Sequence, residues 1–157
     1  MIIVRKGKNK GFTLIEVVVT VGILVIVMTN LLGLFIYCST LAQTSGNVTL
    51  AIREAQGMLD EIRDHSYSLI TTDYAAGGTP GNIFNLNQLN GKGVIYFESA
   101  PNPDLLQVKV VVSWKNKDTR VIGEDANLNG ILDAGEDKNA NGQLDSIVSL
   151  TTMIARR

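Results

Sequence analysis

The chain has 157 residues, 45% of them hydrophobic and 18% charged, with a formal net charge of −1, which leaves room for one domain and a modest core. This balance excludes wholesale disorder and offers no basic patch with interleaved aromatics for nucleic acid. The single cysteine, Cys38, excludes an intramolecular disulfide scaffold, and with His65 the sole histidine, cysteine- or histidine-based catalysis has little to stand on.

The average hides a segmented chain. The first ten residues carry Arg5, Lys6, Lys8 and Lys10, whereas the 36 residues from Val17 to Ile52 contain no Asp, Glu, Lys or Arg. Within that stretch, 17–36 is a run of 20 mostly apolar residues, long enough at 1.5 Å per residue to cross about 30 Å of hydrocarbon. It predicts a membrane helix, because no small-residue site closes the run as a cleaved secretory signal would require. Four cations precede it and the next is Arg53, so the N-terminus is expected in the cytoplasm and the remainder outside. Cys38, near the outer end, would be lipidated or packed there, and packing as a small hydrophobe is the preferred reading.

Beyond the run, Val48, Ile52, Ala55, Leu59 and Ile62 recur at steps of three and four, the pattern of one buried helix face. Arg53, Glu54, Asp60, Glu61, Arg63 and Asp64 occupy the other face. No proline occurs before Pro80, so one helix is expected to run to about residue 66, roughly 80 Å, with Gly33 and Gly46 as places for a bend. His65, beside Asp64, is expected to meet the C-terminal dipole and is assigned no chemistry. Residues 71–93 predict a loop from Gly77, Gly78, Pro80, Gly81, Gly91 and Gly93.

Strands are expected at 94–99, 105–115 and 147–154. In the second, Leu106, Val108, Val110, Val112 and Trp114 alternate onto one face, and Gln107, Lys109, Ser113 and Lys115 face the other way, interrupted by Val111. In the last, Val148, Leu150, Thr152 and Ile154 face inward. The fold class is α+β: a long N-terminal helix whose exposed half packs on a small antiparallel sheet.

Glu16 is a lone carboxylate inside the apolar run. Insertion costs about 2.5–3.5 kcal/mol at a membrane helix centre and less near an end, so a specific partner is expected. Cleavage after Gly11 would create an ammonium at Phe12, one helical turn away, able to meet Glu16 of the same chain or of a neighbour.

The string GFTLIE after a short basic leader resembles the type IV prepilin signal. The resemblance implies cleavage between Gly11 and Phe12 by a membrane prepilin peptidase/N-methyltransferase, methylation of Phe12, and assembly with other pilin or pseudopilin subunits through the apolar helix. Glu16 would set subunit register. The domains expected are a cleaved leader at 1–11, a transmembrane and assembly helix at 12–38, and an exported head at 39–157. A chain unable to close a C-terminal disulfide loop resembles the minor pilins and the minor pseudopilins of type II secretion more than the major ones.

The acidic segment 124–145 carries six carboxylates against Lys138. Two 12-residue copies begin at Asp125 and Asp137, each with oxygen side chains at positions 1, 3, 5 and 9 and glycine at 6. That spacing matches the EF-hand calcium loop, in which a carboxylate at position 12 completes the shell. The first copy offers Asp125, Asn127, Asn129, the Ile131 carbonyl, Asp133 and Glu136. The second offers Asp137, Asn139, Asn141 and Asp145, but Val148 stands at position 12, predicting a weaker site or one completed from elsewhere. Calcium is the cofactor expected, in a loop without flanking helices, set in a β-hairpin.

No nucleophile, base or phosphate-binding loop can be assembled, so a non-catalytic filament subunit at the membrane and cell surface is the first reading. A bitopic calcium-dependent adhesin or receptor that never polymerises is the alternative.

Overall fold

The computed structural model describes residues 11–100, 102, 104–117 and 120–156; of the expected leader, only Gly11 lies within them. The chain divides into two compact units after Ala42. Helix α1 is assigned over Leu14–Asp64 and contributes to both.

In the first unit α1 stands alone, its side chains exposed on every face, with Leu24, Phe35 and Ile36 among them. Its polar residues fold back on the helix. Thr29 Oγ1 donates to the Val25 carbonyl at 2.7 Å, Asn30 Nδ2 to Ile26 at 2.7 Å, and Thr40 Oγ1 to Ile36 at 3.0 Å. Such bonds satisfy polar groups without outside partners, the condition for placing them in hydrocarbon. The helix assignment passes Gly33 and Gly46 without interruption. Cys38, expected to be packed, is exposed, because among the described residues no other element of this unit covers the helix.

In the second unit, α1 buries Ala51, Ala55, Leu59 and Ile62, with Val48 and Ile52 partly covered, the face its periodicity predicts. A short helix α2 (Tyr67–Asp73) follows. Then come β1 (Ile83–Asn85), β2 (Gly91–Ser99), β3 (Leu105–Lys115), β4 (Val121–Ile122) and β5 (Val148–Ala155). All pairings are antiparallel in the order β1-β2-β3, and the far edge of β3 is shared. There β5 pairs along Leu105–Val112 and β4 pairs with Trp114 and Lys115.

One face of the sheet, with Ile95, Val108, Val110, Val112, Trp114 and Val148, joins the buried face of α1 in the main core. The other face is also covered. Val94, Val111 and Ser113 are at most 4% exposed, and the pairings Ile83↔Val94 and Val94↔Val111 put them on the side away from α1. Segment 123–145 lies over them. Its Leu144 is 1% exposed, and a side chain on Gly123 would collide with Ser113, one on Gly130 with Ile83. Each large aliphatic side chain so buried contributes about 1.5–3 kcal/mol.

Four elements depart from the expectation. Helix α2 begins just after the predicted helix ends at about residue 66 and runs into the start of the predicted loop, despite two threonines in seven residues, because Ile70 is fully buried in the core. Strand β1 forms inside the predicted loop, and β2 claims Gly91 and Gly93, which the composition suggests are breakers. Gly93 sits under the Phe84 ring and Gly91 against Trp114, where a Cβ has no room, so these glycines serve close approach rather than a turn. The two-residue β4 is too short for a periodicity signal.

Candidate functional site

Two groups of residues carry the sequence expectations. At the N-terminus, residues 11–13 are non-helical and exposed, with Phe12 81% exposed, so the Gly11–Phe12 bond is accessible ahead of the first helical turn. Thr13 and Glu16 form a reciprocal cap. Glu16 N–H donates to Thr13 Oγ1 at 3.4 Å, while the Thr13 N–H and hydroxyl each donate to Glu16 Oε2 at 3.5 Å. This is the geometry of a capping box, in which an acidic residue at the third helical position satisfies free N–H groups. The Thr-x-x-Glu spacing signals it in the sequence.

The second group is the acidic segment, in which both copies fold alike. In the first, Asp125 Oδ1 accepts from Asn129 N–H at 3.1 Å and Oδ2 from Gly130 N–H at 2.8 Å. Asn127 and Asn129 both direct their amide nitrogens at Asp133 Oδ2, at 2.7 and 2.8 Å. In the second, Asp137 accepts from Asn141 and Gly142 at 3.1 and 2.8 Å. Asn139 and Asn141 meet Asp145 Oδ2 at 2.7 and 2.6 Å. Positive φ recurs at positions 4 and 6 of both copies: Leu128 (57°) and Gly130 (78°), then Ala140 (58°) and Gly142 (75°). Glycine at position 6 takes this conformation without the steric cost a Cβ adds.

The first copy is closed by its own twelfth residue. Glu136 accepts from Ala126 N–H at 2.8 Å through Oε1 and from Asp133 N–H at 3.1 Å through Oε2. In the second copy the equivalent N–H groups, at positions 2 and 9, donate to Glu124. Lys138 N–H reaches Oε1 at 3.2 Å and Asp145 N–H reaches Oε2 at 3.0 Å. Glu124 precedes the first copy by one residue and was not among the expected donors.

The sheet anchors the second copy. Lys109 Nζ lies 3.0 Å from Asp145 Oδ1 and 2.9 Å from Gln143 Oε1. The Asn139 amide, and then Lys109, hold the Asp145 carboxyl below the usual aspartate range. Leu144 N–H donates to Tyr96 Oη at 2.9 Å, and burial pushes the Tyr96 phenol up, keeping it protonated. Elsewhere, His65 Nε2 lies 2.8 Å from Asp73 Oδ2 and its ring meets Tyr74 edge-on, giving it a partner on α2.

Asp125 and Glu136 are 1% and 7% exposed, and the ion pairs Arg63–Asp60, His65–Asp73 and Lys109–Asp145 involve other residues. Buried anions without counter-charge are costly. Among the described residues no three His, Cys, Asp or Glu side chains gather into a metal-holding group. In each copy two asparagine amide nitrogens are turned onto the ninth-position aspartate. The donor set of carboxylate, amide and carbonyl oxygens around a positive-φ glycine suits a hard divalent cation of high coordination number.

Residues 6–29 match the family model of the prokaryotic N-terminal methylation motif, so the chain carries the type IV pilin signature at its N-terminus. The match takes in Gly11, Phe12, Glu16 and the first turns of α1. The long apolar helix with a five-stranded antiparallel sheet is an α+β arrangement consistent with the pilin fold. No curated protein and no solved structure matches the chain.

Proposed function

We propose that this chain is a non-catalytic subunit of a type IV pilus or type II secretion filament, of the minor pilin or minor pseudopilin kind. It is cleaved before Phe12 by a prepilin peptidase, methylated there, held in the membrane by the first part of α1 with its head exported, and assembled through that helix. The observation that carries this reading is the methylation motif at 6–29 opening directly into a helix whose first part exposes apolar side chains on every face. A surface of that kind calls for lipid or for other helices of the same sort.

In this reading Glu16 exchanges its long cap contacts for the Phe12 ammonium of a neighbouring subunit, which neutralises both charges in apolar surroundings. Calcium is the head's ion, held by Asp125, Asn127, Asn129, the Ile131 carbonyl, Asp133 and Glu136, with a second site on Asp137, Asn139, Asn141 and Asp145. When bound, it supplies the positive charge that offsets the buried carboxylates and clips the segment onto the sheet. Extracellular calcium modules bind at about 10⁻⁴–10⁻³ M, so loading belongs after export.

The test expresses the chain with an active prepilin peptidase. Mass spectrometry of the membrane-extracted protein should find a start at Phe12, and an intact N-terminus overturns the assignment. Glu16→Ala should be cleaved and inserted normally but recovered less in sheared filaments. Equal recovery of mutant and wild type removes the register role, and a processed wild type never found in filaments supports the non-polymerising adhesin or receptor.

A further inference from the structure

The two edges of the sheet differ in kind. Strand β1 forms one and is three residues long, the short sort of edge that resists pairing with another chain. Strand β5 forms the other over eight residues, VSLTTMIA, and among the described residues its sheet partner is β3 alone. It carries neither the charge nor the proline that blunts natural edges. Its register with β3 runs unbroken from Ala155 to Val148, so no bulge turns the free edge away. Between β5 and α1 lie two cavities that share Arg63, one at Leu150–Thr152 and one at Met153–Ala155. Leu150 and Ile154 face the core, whereas Thr151 alternates to the exposed face. Thr151 nevertheless lines the first cavity, so the free main chain of β5 forms part of the wall.

Charge along this edge selects the occupant. From Ser146 to Ala155 the chain carries none. At the start stand Asp145 and, bonded to its N–H, Glu124; Lys109 offsets Asp145 and leaves Glu124 in excess. At the end stands Arg156, beside Asp104 and followed in sequence by Arg157. A second β5 laid antiparallel brings the basic end of each copy to the acidic start of the other, with uncharged residues meeting between. The exposed apolar side chains agree with that pairing. Ile147, just before β5, and Met153 are 71% and 54% exposed. With Thr151 opposite Thr151, Ile147 of one copy lies diagonal to Met153 of the other, within reach of long side chains. We infer that β5 is a homotypic docking edge, pairing antiparallel with β5 of a second copy about a two-fold axis at Thr151 and joining two sheets into one. Such a contact is self-complementary, and it uses none of the residues 12–38 that the filament reading assigns to assembly.

The experiment is disulfide trapping of the full chain in detergent micelles, in the Cys38→Ser background, with chelator present and diamide as oxidant. Single cysteines replace Ser149, Thr151 or Met153, all exposed, and Trp114 fluorescence checks that each variant is folded. Thr151→Cys should be trapped as a dimer, because facing residues of paired strands bring their Cα atoms within disulfide reach. Ser149→Cys alone and Met153→Cys alone should stay monomeric, since each lies about 14 Å from its own copy across the axis. Mixed together, these two should give a dimer, because Ser149 then faces Met153. Adding Arg156→Glu to Thr151→Cys sets like charges at both ends and should lower the dimer yield about fivefold. A monomeric Thr151→Cys overturns the inference. So do equal yields from the three single variants, the mark of random collision or of pairing through α1 in the micelle. A dimer yield indifferent to Arg156→Glu overturns the antiparallel arrangement on which the inference stands.

Discussion

Truncation of Leu144 to alanine separates a docked acidic segment from a solvated turn. Leu144 is 1% exposed on the sheet face away from α1, the face where Val94 and Val111 are likewise buried. Leu144→Ala removes three carbons, worth about 2.4 kcal/mol in transfer at ~0.8 kcal/mol each, and leaves a cavity that raises the cost of such changes toward 5 kcal/mol in rigid cores. The cover here is a loop that can settle, so the expected loss is near the lower end, about 2.5–3 kcal/mol. For a domain of about a hundred residues this lowers the thermal midpoint by about 10–15 °C. Trp114 is the sole tryptophan and is 1% exposed in the main core, so its fluorescence reports the unfolding of the head directly. Ile131→Ala is the matched control, a side chain of the same segment that is 56% exposed and expected to shift stability by no more than about 0.5 kcal/mol. Melts are run with calcium present throughout, so that ion occupancy does not vary. Equal, small shifts for both variants would falsify the docked segment.

Calcium should raise the full chain's midpoint by the equivalent of about 2.7 kcal/mol at a hundredfold excess over the dissociation constant, and magnesium should raise it far less; a Glu136→Gln chain that responds like wild type counts against the site. Asp145 has a folded-state carboxyl held below its ordinary value of 3.8, so it contributes stability present above that value and lost as pH falls through the lower one. Urea titrations from neutral to strongly acid pH should therefore show a shallower acid loss for Asp145→Asn than for wild type, and parallel curves refute the pairing with Lys109. Gly93→Ala places a methyl inside the Phe84 ring and should cost about 1–3 kcal/mol as overpacking; a neutral result in chemical denaturation would show that Phe84 is free to move aside.

The elements that rest on local rules were legible in the sequence. The apolar run, the period of Val48 to Ile62, the alternation along β3 and β5, and the twelve-residue ligand spacing each need only near neighbours to be read. Inward-facing Leu106 to Trp114 and Val148 to Ile154 match the observed core face, because a strand that buries one side cannot slip register without exposing it.

Tertiary contact decided the rest. Helix α2 and strand β1 exist because Ile70 and Phe84 find places in or against the core, and no local pattern marks them. Gly91 and Gly93 read as breakers until the Trp114 and Phe84 side chains that need their missing Cβ atoms are brought alongside. Val111, the one residue out of phase on β3's polar face, is explained by the segment folded over it. The same fold carries Glu124 across to a loop that starts thirteen residues later, where it meets Lys138 and Asp145. Sequence spacing specifies which oxygens can share a loop, but only closure of the chain in space decides which loop a carboxylate at the boundary serves.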